Sequence, residues 1–254
     1  FDYKWNMGWM NDFTEYMKLD PYFRKDNHSL LTFLMMYAYS ENFILPLSHD
    51  EVVHGKKSLI DKMYGTYEEK FDSYKTFLTY YMTMPGKKLM FMGGEIGQFL
   101  EWRFDDQLEW NVLDLDAHKK LHEYIKTLNH FYIDNKALWE LEQSWDGFRW
   151  INEADNENSV VSYIRRGKRP SDMLVIAANF TPCDRTGYKL GVPYGGDYEV
   201  ILHSNSTEFG GTRKINKMVY HAQKMQFSDM DYTLSVPIDG NSAIILRRKA
   251  VKKK

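Results

Sequence analysis

The order of apolar and polar residues changes its period near residue 140, and this change limits the folds open to the chain. Before it, helical patterns alternate with short apolar runs, as at residues 42–47 and 88–93. After it, turn-rich pieces separate five short strand-like runs, at residues 160–166, 173–180, 197–202, 231–236 and 242–247. The first pattern is typical of a parallel sheet covered by helices, and the second of an antiparallel β-sandwich. We therefore predict two domains, residues 1–143 and residues 144–254.

Three helices are expected from side chains at helical spacing, at residues 27–37, 71–82 and 121–132. The apolar faces of the last two consist of Phe71, Tyr74, Leu78 and Met82, and of Leu121, Ile125, Leu128 and Tyr132. His118 and His122 stand four residues apart with lysines between them. We expect these two histidines on a solvated face.

The first domain has too few strands to close a barrel. Two strand–helix units are clear and a third is indicated at the start, whereas a closed parallel barrel needs eight. An open sheet this short would leave exposed edges. Phe1 also begins inside an aromatic segment rather than at a methionine. The chain is either a whole protein trimmed of a tag or one that lacks its N-terminal half, and the short sheet favours the second interpretation.

Charge and cysteine content narrow the classes of partner. Lys and Arg number 33 against 35 Asp and Glu, which gives no electrostatic attraction for nucleic acid or for an anionic membrane. We therefore expect neither partner. Cys183 is the single cysteine, which excludes an internal disulfide and fits a reducing, cytoplasmic location. No phosphate loop or dinucleotide fingerprint occurs, so we expect no cofactor.

Polar residues concentrate directly after the two apolar runs, at residues 48–57 and at residues 93–98. Functional side chains gather at the carboxyl ends of strands in parallel sheets. Trp102 and Trp110 follow in a loop. Aromatic side chains belong mostly to cores, but their flat faces also suit the apolar faces of sugars. We expect the functional site at these loops.

Several chemistries are open at the first polar cluster. His49 and His54 are five residues apart and do not match the helical zinc motif. Glu51 and His54 form half of a di-iron element whose second copy is missing. We therefore predict no metal site. For Asp50, a plain alternative is that it caps the helix that follows the strand.

Residues 43–58 resemble the fourth conserved region of the 1,4-alpha-glucan branching enzymes, in glycoside hydrolase family 13 of the alpha-amylase superfamily. Residues 4–10 and 85–93 agree with the flanking parts of that family, and residues 178–182 resemble its C-terminal all-β domain. The resemblance implies an α/β plus all-β fold. Its first part would be the C-terminal portion of a (β/α)8 TIM barrel, followed by an antiparallel β-sandwich.

The resemblance also implies roles for four residues. Asp50 would be the third carboxylate of the site, which grips the sugar at the cleavage point and favours its oxocarbenium-like form. His49 would hydrogen-bond the same sugar, and Glu95 and Trp102 would bind substrate. Gly94 departs from the family, which commonly has asparagine there.

The implied activity is transfer of a cleaved α-1,4-glucan chain to a 6-hydroxyl, which makes the α-1,6 branches of glycogen. The family's nucleophile and general acid lie upstream of the segment that matches Phe1, so the partner would be the missing N-terminal half and this chain alone would be inactive. Two alternatives stay open: an amylase-like hydrolase of the same family, and a glucan-binding module without catalysis.

Overall fold

The computed structural model describes residues 1–215 and 218–250. Its first part holds a small parallel sheet and four α-helices. The strands are β1 (Lys4–Trp5), β2 (Phe43–Leu47) and β3 (Lys87–Met90), and the helices are α1 (Met7–Lys18), α2 (Ser29–Thr32), α3 (Tyr67–Thr83) and α4 (Asp116–Asp134).

The parallel sheet has the order β1-β2-β3, with both pairs parallel. β1 and α1 form the strand–helix unit that the sequence indicated at the start. β2 is buried at its carboxyl end, where Leu45 and Leu47 are fully inaccessible. Helices connect the strands, so all three carboxyl ends lie at one edge of the sheet.

The single helix predicted at residues 27–37 is wrong. Two 3-10 helices, Pro21–Asn27 and Phe33–Met36, flank the four residues of α2. The Leu31 carbonyl oxygen accepts the hydroxyl of Tyr80 at 2.5 Å. A tertiary contact thus occupies a carbonyl of α2, and the regular ladder stops there.

The predicted apolar faces of α3 and α4 are confirmed, but the prediction for the histidines of α4 is wrong. His118 is 2% exposed, and its Nδ1 donates to the Ile96 carbonyl oxygen at 2.8 Å. His122 Nδ1 donates to the Glu95 carbonyl oxygen at 3.1 Å. The loop after β3 covers this face of α4, and its carbonyl groups need the ring N–H groups as partners.

The second part of the chain is antiparallel β-structure. Its strands are β4 (Phe148–Asp155), β5 (Val160–Arg166), β6 (Met173–Asn179), β7 (Arg185–Val192), β8 (Gly196–His203), β9 (Val219–Ala222), β10 (Tyr232–Ile238) and β11 (Ser242–Arg248). Six of them form one sheet in the order β4-β5-β6-β11-β8-β9, and β7 pairs with β10 in a second sheet. The five predicted strands are confirmed as β5, β6, β8, β10 and β11, whereas β4, β7 and β9 were not predicted.

The central strands β5, β6 and β11 of the six-stranded sheet are buried on both faces. Tyr163 and Ile245 belong to a core shared with α1, α3 and α4, and Ile164 and Ile244 belong to a second core shared with β7 and β10. The predicted division at residues 143–144 falls between α4 and β4. It stays a prediction, because the first core continues across it.

None of the helices within the described residues is long and apolar enough to cross a membrane.

Candidate functional site

The two polar loops predicted from the sequence begin side by side at one edge of the parallel sheet. Leu47 of β2 lies opposite Met90 of β3, and the Phe91 N–H donates to the Leu47 carbonyl oxygen at 2.8 Å. The pairing therefore continues to the last residue of β2. Residues 48–57 and 91–102 start as neighbours, as expected at the carboxyl ends of parallel strands.

His49 and Asp50 lie in one turn of 3-10 helix directly after β2. The Ser48 hydroxyl donates to Asp50 Oδ2 at 3.1 Å, and His49 Nε2 lies 3.5 Å from Asp50 Oδ1. The side chains of His49 and Asp50 are 47% and 45% exposed. Asp50 does not cap the following α-helix, since Thr66 caps α3. Its carboxylate is instead open to a ligand.

Trp102 stands beside this pair. Its backbone N–H donates to the Val52 carbonyl oxygen at 2.8 Å. Its ring meets the Phe91 ring edge-on, with centroids 5.1 Å apart, and its centroid lies 6.3 Å from that of His49. The structure thus brings together His49, Asp50 and Trp102. A half-buried aromatic ring next to an open carboxylate suits a ligand that has both an apolar face and hydroxyl groups.

Glu95 lies in a separate 3-10 turn after β3. This turn packs on α4, where His122 bonds the Glu95 carbonyl oxygen. Among the described residues, no hydrogen bond or ion pair connects Glu95 to His49 or Asp50. A role for Glu95 in substrate binding stays a prediction.

Gly94 is closely packed. A Cβ at this position would lie 3.2 Å from the Tyr74 hydroxyl oxygen and 3.3 Å from Met90 Cγ. The same hydroxyl donates to the Gly94 carbonyl oxygen at 3.1 Å. An asparagine here would displace these neighbours, which gives a packing reason for the departure from the family pattern.

Glu101, whose role the sequence does not reveal, fixes the loop that follows Asp50. Its carboxylate accepts the N–H groups of Gly55 at 2.9 Å and of Lys57 at 2.6 Å. These two hydrogen bonds, with the nearby His54, hold the pKa of Glu101 below its ordinary value. Both Gly55 and Lys57 have positive φ angles, so the carboxylate bridges a loop in an uncommon conformation. No spacing rule in the sequence links a glutamate to amides 44 and 46 residues away.

Glu51 forms the inner wall of the same loop. It is 8% exposed and lies 3.2 Å from Lys56 Nζ and 3.5 Å from Lys62 Nζ. Burial lowers the pKa of Lys62, whereas the charge of Glu51 opposes that shift. A buried carboxylate between two lysines needs both of them, so Glu51 anchors the loop rather than meeting a ligand.

His49 and His54 lie beside different carboxylates. His54 Nδ1 lies 3.6 Å from Glu101, and His49 faces Asp50. In the part of the chain that the structure describes, no group of three or more His, Cys, Asp or Glu side chains is arranged to hold a metal ion.

Comparison with known proteins shows two kinds of similarity. Residues 150–249 match the family described as the alpha amylase C-terminal all-beta domain. The chain is 47% identical over 247 residues to the 1,4-alpha-glucan branching enzyme GlgB of Halothermothrix orenii, which covers 97% of this chain and 39% of that relative. It is 48% identical over 251 residues to GlgB of Clostridium perfringens, which covers 98% of this chain and 38% of the relative. Over nearly its whole length the chain is therefore similar to part of the 1,4-alpha-glucan branching enzymes.

The chain spans about two fifths of the length of these curated branching enzymes. Its fold also resembles the crystal structure of AmyP in complex with maltose, with a TM-score of 0.64 over 98% of this chain and 51% of that one. Sequence identity there is 13%, so this likeness concerns the fold alone. The matched residues 150–249 lie in the antiparallel domain, and the His49–Asp50 turn lies outside them.

Proposed function

We propose that this chain supplies part of the active site of a 1,4-alpha-glucan branching enzyme. In this proposal, β1–β3 are the last strands of a (β/α)8 barrel that the rest of the polypeptide completes, and residues 144–254 are the C-terminal domain. The observation that carries the proposal is the half-exposed His49–Asp50 pair, which stands beside Trp102 at the carboxyl edge of the parallel sheet.

The mechanism assigns each of these residues one task. A retaining transfer needs a carboxylate nucleophile and a carboxylic acid about 5 Å apart, and we place both in the remainder of the enzyme. Asp50 accepts hydrogen bonds from the hydroxyls of the sugar at the cleavage point, and His49 bonds the same sugar. Such bonds lower the barrier when they strengthen in the transition state. Trp102 offers its ring to an apolar sugar face, and Glu95 also binds the substrate.

Replacement of Asp50 tests the assignment. In the complete enzyme, Asp50→Asn keeps the shape of the side chain but removes its charge, and we expect branching activity to fall by roughly 100-fold or more. The assay follows the loss of iodine colour from amylose, and circular dichroism checks the fold. Glu68→Gln, an exposed change in the first turn of α3, is the matched control. Near-normal turnover by Asp50→Asn would remove Asp50 from the site.

The residues 1–254 alone are expected to be inactive in the same assay, because the proposed nucleophile and acid are outside them. Activity that appears when the remainder of the enzyme is added supports the proposal. Turnover by the 254-residue chain alone would show that the essential carboxylates lie within it.

A hydrolase of the amylase type is the second candidate, since its sugar would meet the same aspartate. Product analysis separates the two activities. New α-1,6 linkages without a matching rise in reducing ends indicate transfer, whereas an equal rise in reducing ends indicates hydrolysis. A glucan-binding module without catalysis would bind glycogen and produce neither change.

A further inference from the structure

A crevice of about 350 Å³ lies where the first part of the chain meets the antiparallel domain. Tyr22 and Tyr64 line it from one side, and Pro182, Arg185 and Asn241 line it from the other. Neither His49 nor Asp50 borders it. Its volume is within the range of small-ligand sites, and it lies at a junction between two parts of the chain, where such sites are common.

Asp20 holds both tyrosines in place. One carboxylate oxygen accepts the Tyr22 N–H at 2.9 Å, and the other accepts the Tyr64 hydroxyl at 2.7 Å. These hydrogen bonds hold the pKa of Asp20 below its ordinary value. The two tyrosines are nevertheless 72% and 44% exposed. A single carboxylate therefore fixes the hydroxyl of Tyr64 and the backbone of Tyr22, and both rings are open to solvent.

The opposite wall carries polar groups of both kinds. Arg185 Nη2 donates to the Asn158 carbonyl oxygen at 3.1 Å and to the Thr181 hydroxyl at 3.2 Å. Within residues 1–215 and 218–250, Arg185 Nε and Asn241 Oδ1 are buried without a hydrogen-bond partner. The Asn241 N–H donates to the Thr181 carbonyl oxygen at 2.7 Å, so its turn is fixed. Arg185 and Asn241 both line the crevice, and each carries a buried polar atom without a partner, which needs an explanation.

This combination selects a class of ligand. Exposed aromatic faces favour flat apolar surfaces, and paired donors and acceptors favour hydroxyl groups. The lining also holds Glu69 beside Asp20 and Arg185, so charges of both signs are present and a strongly charged ligand gains little. A neutral polyhydroxylated molecule fits these conditions.

We propose that this crevice is a second glucan site, which binds a segment of α-glucan chain on Tyr22 and Tyr64 with sugar hydroxyls directed to Arg185 and Asn241. The identity of the sugar rests on the proposed function, whereas the position of the site rests on the crevice itself. The site would hold a polymer to the enzyme surface away from the place of cleavage.

Affinity electrophoresis of the complete enzyme in glycogen-containing gels tests the proposal. For Tyr22→Ser/Tyr64→Ser we expect the apparent dissociation constant for glycogen to rise roughly tenfold, since aromatic side chains that a ligand covers contribute much of the binding free energy. Tyr194→Ser is the matched control: Tyr194 is 42% exposed and packs on Arg248 in the antiparallel domain. We expect its migration to equal that of the unchanged enzyme.

Tyr22→Ser alone separates a loss of binding from a folding defect. The hydrogen bond from Tyr22 to Asp20 uses only the backbone N–H, so this substitution keeps it. It should weaken glycogen binding while the circular dichroism spectrum stays unchanged. Migration of both variants equal to that of the unchanged enzyme would overturn the second site.

The branching assay separates this site from the proposed function. Glycogen binding that depends on Tyr22 in an enzyme that forms no branches would leave the crevice site standing and refute the branching activity. Branching that depends on Asp50, together with unchanged binding by the tyrosine variants, would refute the crevice site alone.

Discussion

Glu101 determines the shape of the loop next to Asp50 through two backbone amides. Its carboxylate binds the N–H groups of Gly55 and Lys57. Replacement by alanine leaves both amides to water. We expect Glu101→Ala to raise the hydrogen-exchange rates of these two amides by roughly tenfold or more, because local opening no longer breaks two charge-assisted bonds.

Amide hydrogen exchange followed by mass spectrometry or NMR measures this effect. Glu157→Ala, at an exposed glutamate whose nearest cation, Lys25, is 3.9 Å away, is the control. Unchanged exchange at Gly55 and Lys57 in Glu101→Ala would show that the loop keeps its shape without the carboxylate. Because the pKa of Glu101 is lowered in the folded protein, protonation of Glu101 should also weaken these two hydrogen bonds. We therefore expect the Gly55 and Lys57 amides to become less protected as pH falls below the ordinary pKa of glutamate.

His203 makes stability depend on pH. It is 1% exposed, and burial lowers its pKa to about 4, although Asp239 opposes the shift. Between pH 4 and 6.5 the unfolded chain binds a proton that the folded chain excludes, so the free energy of unfolding falls as pH falls through this range. The loss reaches up to about 3 kcal/mol at the acid end.

Urea unfolding at several pH values checks the slope. His203→Asn should flatten it, whereas the same change at the exposed His130 should leave it intact. A smaller slope remains from His28, whose pKa burial also lowers. A profile of His203→Asn that equals the unchanged protein would contradict the assignment.

The sequence located His49 and Asp50 but not Glu101, and the difference is physical. A polar cluster after an apolar run identifies a strand end, and strand ends carry function in parallel sheets. The partners of Glu101 are backbone amides, whose orientation depends on φ angles that residue types do not reveal. The prediction that His118 faces solvent was wrong for a related reason, because its partner is also a backbone group, the Ile96 carbonyl oxygen.

At the scale of the element, α3 begins with a capping box. Thr66 Oγ1 accepts the Glu69 N–H, and Glu69 accepts the Thr66 N–H. We expect Thr66→Ala to lower the free energy of unfolding by about 1 kcal/mol, because the Glu69 N–H loses its acceptor. Chemical denaturation measures the change. Thr66→Ser keeps the oxygen and should restore most of it; equal losses in both variants would point to packing instead.

The periodicity of α3 predicted one buried face, and the structure buries nearly all of it. Tyr80 packs on Phe180 at 5.9 Å between ring centroids, and the hydroxyls of Thr83 and Tyr163 lie 2.5 Å apart. In a helical pattern, threonine and tyrosine suggest positions that face solvent. Here their hydroxyl groups are buried by partners from strands of the other domain, which the pattern of the helix does not reveal. The continuous apolar run of β6 is the pattern typical of a strand that is covered on both faces.

At the scale of the whole molecule, Arg165 ties the two parts together. Its buried guanidinium donates to the carbonyl oxygens of Leu138 at 2.9 Å and Gly147 at 3.1 Å, and also to that of Thr83 at the end of α3. Arg165→Met leaves these carbonyl groups without a donor, and we expect the free energy of unfolding to fall by about 3 kcal/mol.

Chemical denaturation followed by circular dichroism measures this loss. Arg166→Met, at the half-exposed neighbouring position, is the control and should change stability little. A stability of Arg165→Met equal to that of the control would show that water or local movement replaces the guanidinium.

The two-sided burial of the six-stranded sheet also constrains the order in which the protein matures on the ribosome. Thr83 is translated 80 residues before Tyr163, its hydroxyl partner, and β11 follows later still. Through that interval the far side of α3 faces water, so the nascent chain exposes apolar surface that chaperones recognise. Loss of β11 would therefore damage the helix layer beneath the candidate site as much as the sheet to which that strand belongs.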